Sequence, residues 1–427
     1  MNKKALVLAI GAALAIPSYA YAQRGGGARS GGDEVEPDSI VVLYGKVYPE
    51  IVRQRGKDPT PASCTTGNGC LATFAPPASG VTNIITRNEM ESSNSRFGVR
   101  GYEKLGGGWR ATWQLETQFL LDSNNTAFAQ RDSWVGLNHK RFGTVKLGRF
   151  DTPFKEYGDD ISFLGVSSGN FVSTSSVLRL FGFGQNSAAR FHERRVNAVQ
   201  YESPQWGPLD FKAQYSTNET DTALRRPHVW SFGGKLEFGN LAFLLGHEIH
   251  WDLLGGSANV GTAGLSNAGI ASTRSKDRAS EFSVTYKAGN HQFEADYELH
   301  EWKEFGQPAN TPLTALGKFG SYKNHSYLFN WQWKLSDRFR TQVNYVRGTA
   351  GECSRTFLLA AAPCITDGLD GTMMSAGLAY YFSRRTYLFF LYQQLRNGKS
   401  AVFASGSQAP STGEDVTQYA VGINTSF

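Results

Sequence analysis

The stretch "SYLFNWQWKL", Ser326 to Leu335, alternates between large apolar and polar side chains. Successive side chains of a β-strand point to opposite faces, so this pattern predicts a strand with one apolar face and one wet face. Leu328 is the exception, because it stands among the polar positions. The apolar set comprises Tyr327, Phe329, Trp331, Trp333 and Leu335. Their face must meet either a protein core or lipid, and the rest of the chain decides between the two.

Residues 1–22 have the pattern of a secretory signal peptide. Lys3 and Lys4 precede the apolar run Ala5–Ile16, and the small residues that follow predict cleavage after Ala22. The run is too short to span a bilayer, although a retained anchor is the alternative interpretation. Removing these residues lowers the formal net charge of +6 by two. No later apolar run is long enough to predict a transmembrane helix.

The alternation of the opening stretch recurs along the chain, and no apolar stripe of helical period competes with it. Short turns such as "FGN" (238–240) and "AGN" (288–290) separate some of the strands, and longer Gly- and Ser-rich loops separate the others. Sixteen candidate strands are counted, beginning near Ile40, Arg96, Trp109, Arg131, Thr144, Arg195, Leu209, Val229, Leu241, Ser280, His291, Tyr322, Arg338, Thr372, Thr386 and Val416.

An even number of alternating strands of about ten residues, with tight turns at one end and long loops at the other, is typical of an outer-membrane barrel. Closing the sheet removes its edges and satisfies every backbone group in lipid. A barrel of this size is too wide for side chains to fill, so its polar face meets water. The sequence therefore predicts an all-β, 16-stranded antiparallel transmembrane β-barrel over residues 39–427. Residues 23–38 form a Gly-rich, charged lead whose composition predicts disorder.

Four cysteines follow the signal peptide, and in an exported chain an even number suggests disulfides. Cys64 and Cys70 lie close together in sequence, as do Cys353 and Cys364. We expect these two local pairs, while the other two connectivities of four cysteines stay open. A metal site is not expected, because no histidine or second cysteine pair stands nearby at ligand spacing.

With these features in view, the chain resembles the general porins of Gram-negative outer membranes, most closely those of beta-proteobacteria. The stretches that carry the resemblance are "LYGKVY" (43–48), "SRFGVRGYEKLGGGW" (95–109), "RDSWVGL" (131–137), "FGTVKLGRFDTPF" (142–154) and "QYAVGINTSF" (418–427). The resemblance implies short periplasmic turns, long extracellular loops and a third loop folded inward. It also implies passive diffusion of small hydrophilic solutes and ions, without a cofactor.

The resemblance assigns residues 151–193 to that third loop, which narrows the pore of porins. Glu156, Asp159 and Asp160 are then the acidic side of the constriction, although a solvated surface loop is the alternative. The family's basic ladder on the facing wall corresponds here to Lys46, Arg96, Arg131 and Arg195. Arg194 is a rival for the last position, because the residues after it do not alternate clearly.

Opposed charges across a narrow pore sort ions by sign. The basic side outnumbers the acidic side by four residues to three in this assignment, which predicts a mild anion preference. Four carboxylates at inward-facing positions of the strands oppose this preference, namely Glu116, Glu294, Asp296 and Glu298.

The resemblance further implies an outer-membrane location and a homotrimer in contact with membrane lipid and lipopolysaccharide. It implies recognition of the terminal Phe427 by the barrel-assembly machinery, and no nucleic-acid partner is expected. A substrate-specific channel and a barrel acting mainly as an adhesin or structural protein are the alternatives. An enzyme is not expected: in "HEIH" (247–250), strand geometry points Glu248 and His250 one way and His247 the other, so the three cannot share a metal.

Overall fold

The computed structural model describes residues 37–123, 128–158, 160–166, 170–184, 190–260, 269–305, 318–356 and 363–427. The expected signal peptide and almost all of the Gly-rich lead therefore lie outside the described residues, and so does Asp159. Within these ranges, no helix is both long enough and apolar enough to cross a membrane.

Strands dominate the described residues. They form β1 (Ser39–Val47), β2 (Glu50–Lys57), β3 (Arg87–Glu91), β4 (Arg96–Gly106), β5 (Trp109–Gln118), β6 (Ser133–His139), β7 (Gly143–Asp151), β8 (Arg194–Glu202), β9 (Leu209–Thr217), β10 (His228–Phe238), β11 (Leu241–Trp251), β12 (Arg274–Ala288), β13 (His291–Phe305), β14 (Lys318–Lys334), β15 (Phe339–Gly348), β16 (Glu352–Thr356), β17 (Gly371–Tyr381), β18 (Thr386–Asn397) and β19 (Asp415–Ser426). The helices are short: α1 (Pro153–Tyr157), α2 (Ser175–Leu178) and α3 (Gly255–Val260), with a 3-10 turn at Thr66–Asn68.

All the pairings are antiparallel, and they close on themselves. The last segment, β19, pairs with both β1 and β2, which are two halves of one barrel strand. In the same way, β3 and β4 form one strand along these halves, and β15 and β16 form one strand along β14. The described segments therefore build a closed barrel of sixteen strands. The predicted fold class is confirmed.

The connections differ between the two ends of the barrel. At one end they are tight: Gly239 and Asn240 join β10 to β11, and Gly289 and Asn290 join β12 to β13. Both glycines have positive φ, 61° and 58°, which two-residue hairpin turns require and glycine adopts without strain. At the other end lie longer loops, including the first (58–86), the third (152–193) and the eighth (398–414).

The stretch "SYLFNWQWKL" lies in β14 except for its last residue, Leu335, and follows the predicted parity. Tyr327 and Phe329 point out of the barrel with 45% and 51% of their surface exposed, whereas Ser326 and Asn330 are buried on the inner face. Leu328 is also buried on the inner face, where it packs in a cluster with Val177, Leu178 and Leu180 of the third loop. The exception in the pattern therefore marks the place where a loop packs against the inner wall.

The structure contains the two local disulfides, Cys64–Cys70 in the first loop and Cys353–Cys364 beside the seventh. Their cysteines pack with an apolar cluster that includes Phe74. The two loops are also joined directly, because the Thr73 backbone N–H donates to the Ile365 carbonyl at 2.7 Å. The disulfides thus hold loop segments that pack together at the long-loop end of the barrel.

We expect reduction of both disulfides to leave the barrel closed while loosening these loops. Closing such a short loop restricts the unfolded chain by only roughly 2–3 kcal/mol in the chain-entropy model, whereas the barrel is held by its complete ladder of strand pairs. Gel mobility with and without heating reads out the folded barrel, and limited proteolysis reads out the loops. Loss of the heat-modifiable gel shift on reduction would contradict this prediction.

Candidate functional site in the barrel lumen

The third loop begins as helix α1, which lies against the inner face of the barrel. The Thr152 hydroxyl caps the helix by accepting a hydrogen bond from the Lys155 backbone N–H at 3.3 Å. Tyr157 then packs on Gly233 of β10, where a Cβ atom would come within 2.2 Å of the tyrosine ring. Phe154 packs on Gly246 of β11 in the same manner. Because these two inward-facing residues are glycines, helix α1 can pack directly against the barrel wall.

The middle of the third loop reaches several other strands. The Leu164 backbone N–H donates to Gln342 Oε1 of β15 at 2.7 Å, and its carbonyl accepts from the Tyr387 hydroxyl of β18 at 2.8 Å. Lys46 Nζ of β1 donates to the Gly165 carbonyl at 3.1 Å. Contacts from one loop to inward side chains of β1, β10, β15 and β18 place that loop inside the barrel.

One buried cation fixes this loop to the wall. Arg179 has no exposed surface, and its guanidinium donates to the Gly158 carbonyl at 2.7 Å within the loop. It pairs with Glu281 of β12 at 3.3 Å and with Glu298 of β13 at 2.9 Å. His192, near the end of the loop, lies 2.5 Å from the same guanidinium. The loop therefore supplies the positive charge that two wall carboxylates need.

The inward carboxylates of β13 are covered by this arrangement. Glu294, Asp296 and Glu298 are exposed by only 2%, 5% and 0%. Glu294 also accepts hydrogen bonds from Asn330 and from the Ile161 backbone N–H of the loop. The sequence correctly predicted that these three side chains point into the barrel. The third loop covers them, however, so they do not face the open lumen.

Cations gather on the opposite wall around one carboxylate, Glu116 of β5. Arg131 lies 2.5 Å from Glu116 and Arg96 lies 4.0 Å from it. The Tyr44 hydroxyl donates to the same carboxylate at 3.0 Å. Lys46 faces Arg96 directly across the β1–β4 pair. Three of the four basic residues named from the sequence are therefore brought together, with one carboxylate between them.

The fourth predicted residue, Arg195, lies elsewhere. Its guanidinium is 3.0 Å from His250 and 3.9 Å from Glu248, both on the inner face of β11. Its rival Arg194 instead pairs with Asp132 at 2.5 Å and Asp151 at 2.8 Å, beside the Glu116 group. Burial, reinforced by the nearby Asp151, raises the pKa of Asp132 above its usual value. The structure thus brings Arg194 to the basic cluster and leaves Arg195 outside it.

The acidic residues predicted in the third loop are paired with lysines of the wall. Glu156 forms an ion pair with Lys212 of β9, and Asp160 lies 3.3 Å from Lys235 of β10. Asp159 lies outside the described residues. Glu156 and Asp160 therefore already have positive partners on β9 and β10.

Arginines stacked on tyrosines extend the positive wall, and the sequence analysis did not predict this stacking. Arg100 lies over the Tyr44 ring at 4.9 Å and Arg110 over the Tyr102 ring at 4.9 Å. Arg96, Arg100 and Arg110 share the inward face of adjacent strands, so the cations form a column that leads to the Glu116 group. In the sequence, this column corresponds to arginines and tyrosines at inward-facing positions of neighbouring strands, namely Tyr44, Arg96, Arg100, Tyr102 and Arg110.

The "HEIH" stretch lies on β11, as the strand pattern predicted. Glu248 and His250 are buried on the inner face, whereas His247 lies 2.9 Å from Ser280 on the outer face. Across the described part of the chain, no group of three histidine, cysteine, aspartate or glutamate side chains is arranged to hold a metal ion.

Comparison with known proteins places this barrel in a family. The family model described as Gram-negative porin matches residues 5–400. Major outer membrane protein P.IB of Neisseria gonorrhoeae is 32% identical over 139 residues, which make up 33% of this chain and 37% of that protein. The match thus spans little more than a third of the relative's length.

Solved structures share the fold over almost the whole chain. An anion-selective porin from Comamonas acidovorans has a TM-score of 0.65 and 19% identity, covering 91% of this chain and 100% of that one. A trimer form of OmpT from Vibrio cholerae has a TM-score of 0.57 and 15% identity, covering 92% and 100%. Together with the closed sixteen-stranded barrel, the family match shows that the chain belongs to the Gram-negative porins, proteins of the outer membrane.

Proposed function

We propose that this protein is a water-filled outer-membrane channel through which small hydrophilic solutes and ions diffuse passively, with a preference for anions. It carries out no chemistry and needs no cofactor in this proposal. The observation that carries it is the separation of charge in the lumen. Carboxylates of β12 and β13 are buried behind the third loop, while Arg96, Arg131 and Arg194 line the other wall.

The cations of this cluster outnumber the acid at its centre. Lys46, Arg96 and Arg131 surround the single carboxylate Glu116. Fields in a narrow pore with low-dielectric walls are set by the nearest groups, because bulk salt screens charges over about 8 Å. We therefore assign the constriction to the gap between this cluster and the third loop. The anion selectivity of the structurally similar Comamonas acidovorans porin supports the same direction.

Planar-bilayer recording of the purified protein tests the proposal. We expect stepwise ohmic conductance, and a reversal potential in a potassium chloride gradient whose sign shows chloride to be more permeable than potassium. Saturation by one solute would favour a substrate-specific channel, and absence of conductance from correctly folded protein would overturn the proposal. Protein that has been unfolded by heating is the control for insertion artefacts.

The outer surface supports the proposal of a homotrimer, a form also solved for OmpT. The outward faces of β6 and β7 are aliphatic, with 43–57% of Val135, Leu137, Val145 and Leu147 exposed. Outward faces of β10, β12 to β15 and β18 instead carry exposed aromatic side chains, which prefer the lipid–water boundary. A second copy of the chain fits the aliphatic face and lipid fits the aromatic one. Mass measurement of the detergent-extracted protein tests the number of subunits.

Phe427 is proposed as the signal for barrel assembly in the cell. Its backbone N–H and carbonyl both bond to Gly45 at 3.0 Å, and its ring lies over that glycine. Phe427→Ser is expected to lower the amount of folded protein in the outer membrane severalfold, while refolding into detergent stays efficient. Equal losses in both settings would mean that Phe427 acts only by stabilising the barrel seam.

A further inference from the structure

Residues 33–38, "DEVEPD", join the Gly-rich lead to the barrel and carry four carboxylates in six positions. The structure describes the last two of them, Pro37 and Asp38, and the chain bends at Asp38 just before β1 begins at Ser39. Proline favours the second position of a β-turn, where a chain reverses its direction. The chain therefore enters β1 from a bend and not in line with the strand.

This bend is held against the inner face of the barrel. The Tyr102 hydroxyl donates to the Pro37 carbonyl at 3.4 Å, and the Tyr102 ring points inward, where Arg110 lies over it. Lys104, on the same face of β4, has its ammonium group 3.9 Å from the Asp38 carboxylate. The Lys104 backbone N–H also donates to the Asp38 carbonyl at 2.7 Å. The end of the lead is thus fixed beside inward side chains at the tight-turn mouth of the pore.

The wall at this mouth is positive. Lys104 and Arg110 are direct partners in the β4–β5 pairing, and Arg100 lies deeper on the same face. Like charges directly opposite each other destabilise a sheet, and an anion close to both offsets that cost. Asp38 supplies one carboxylate at the outer edge of this group. The cations that lie deeper therefore favour further carboxylates inside the mouth.

The rest of the acidic stretch is long enough to supply them. Arg100 lies four residues from Lys104 along β4, which is about 14 Å at ~3.4 Å per residue. Asp33 lies five residues before Asp38, and five extended residues span at most about 18 Å. The two lengths match, so the stretch can run back along the inner wall from Lys104 to Arg100.

We propose that the acidic stretch folds back into the tight-turn mouth and pairs with Arg110 and Arg100. The chain then supplies an anionic occupant for its own pore. Carboxylates match guanidinium groups in paired hydrogen bonds, which gives Asp33, Glu34 and Glu36 an advantage over the neutral part of the lead. The occupant competes with permeating anions and lowers the anion preference that the arginine column would otherwise give. This consequence rests on the channel function proposed above.

Digestion with an endoproteinase specific for glutamate tests the contact without any measurement of current. The folded protein in detergent should release the peptide that ends at Glu34 slowly, because the pore wall shields that bond. In the Arg100→Gln/Arg110→Gln variant we expect release about fivefold faster, as the loss of two partly exposed ion pairs implies. Arg141→Gln/Arg384→Gln replaces two exposed arginines in turns at the same end and should be cleaved as the native protein is. The heat-modifiable gel shift verifies that each variant is folded.

Planar-bilayer recording tests the consequence for permeation. The neutral variant Asp33→Asn/Glu34→Gln/Glu36→Gln should have an anion-to-cation permeability ratio about twofold above the native value, because the column is then open to permeating anions. Glu103→Gln/Asp337→Asn is the matched control. It removes two exposed carboxylates at the same end of the barrel and should leave the ratio unchanged.

Equal cleavage of the native protein and the Arg100→Gln/Arg110→Gln variant would overturn the proposal. A native permeability ratio in the neutral variant would also overturn it and would leave the column to permeating anions alone. Absence of conductance from the native protein would instead count against the proposed function, and the digestion would still decide whether the lead contacts the column. The two failures are therefore distinguishable.

Discussion

Arg179→Met is expected to release the third loop from the wall while the barrel stays closed. Arg179 is fully buried and is the positive partner of Glu281 and Glu298. Removing one partner of a buried ion pair leaves an uncompensated charge and costs about 3–5 kcal/mol. The barrel ladder does not pass through this contact, so the cost should fall on the docking of the loop.

Single-channel recording measures this effect directly. We expect a higher mean conductance with frequent fluctuations, because the loop would no longer be held against β12 and β13. The heat-modifiable gel shift should persist. Arg384→Met, at an exposed position in a tight turn between β17 and β18, is the matched control and should conduct as the native protein does.

A triple variant separates electrostatics from packing. Adding Glu281→Gln and Glu298→Gln to Arg179→Met removes the charges that the first change leaves unpaired, so quiet conductance should return in large part. If Arg179→Met alone conducts quietly at the native level, then the ion pairs do not hold the loop, and the apolar cluster around Leu178 does so instead.

The barrel could be predicted from the sequence because its rules are local. Alternation with a period of two places each side chain on a face, and the glycine-containing turns after Phe238 and Ala288 set the register between neighbouring strands. The docking of the third loop depends on pairs such as Arg179 and Glu298, which are far apart in sequence and carry no local periodicity. Leu328 was a local sign of that docking, as an apolar residue on a polar face, and Val346, Met373 and Leu391 are further apolar residues of the inner face that pack with the loop.

The choice between Arg194 and Arg195 shows why the basic cluster could be predicted only in part. The β7–β8 pairing shifts register between Gly148 and Phe150, and Asn197 has a positive φ of 51°. An extra residue in one strand re-aims the side chains beside it. Because the irregularity lies next to the two arginines, parity counted from the regular part of β8 does not tell which of them joins the cluster.

Arg96→Gln/Arg131→Gln is expected to shift the reversal potential toward cations and to raise permeability to bulkier solutes. The two changes remove positive charge and also free the carboxylate of Glu116, which both arginines neutralise. At separations of a few ångströms in water, each unit charge contributes about 1 kcal/mol, so we expect the loss of two charges to lower the anion-to-cation permeability ratio on the order of thirtyfold.

Adding Glu116→Gln to that pair separates the two contributions. If freed Glu116 attracts cations, the triple variant should recover part of the native selectivity, although it has lost the same two arginines. Arg338→Gln, an exposed arginine outside the strands at the tight-turn end, is the control and should leave the reversal potential unchanged. An unchanged reversal potential in the double variant would show that Arg96 and Arg131 do not line the constriction. The selective groups would then be sought lower in the column, at Arg100 and Arg110, where tyrosine rings rather than carboxylates accompany the charge.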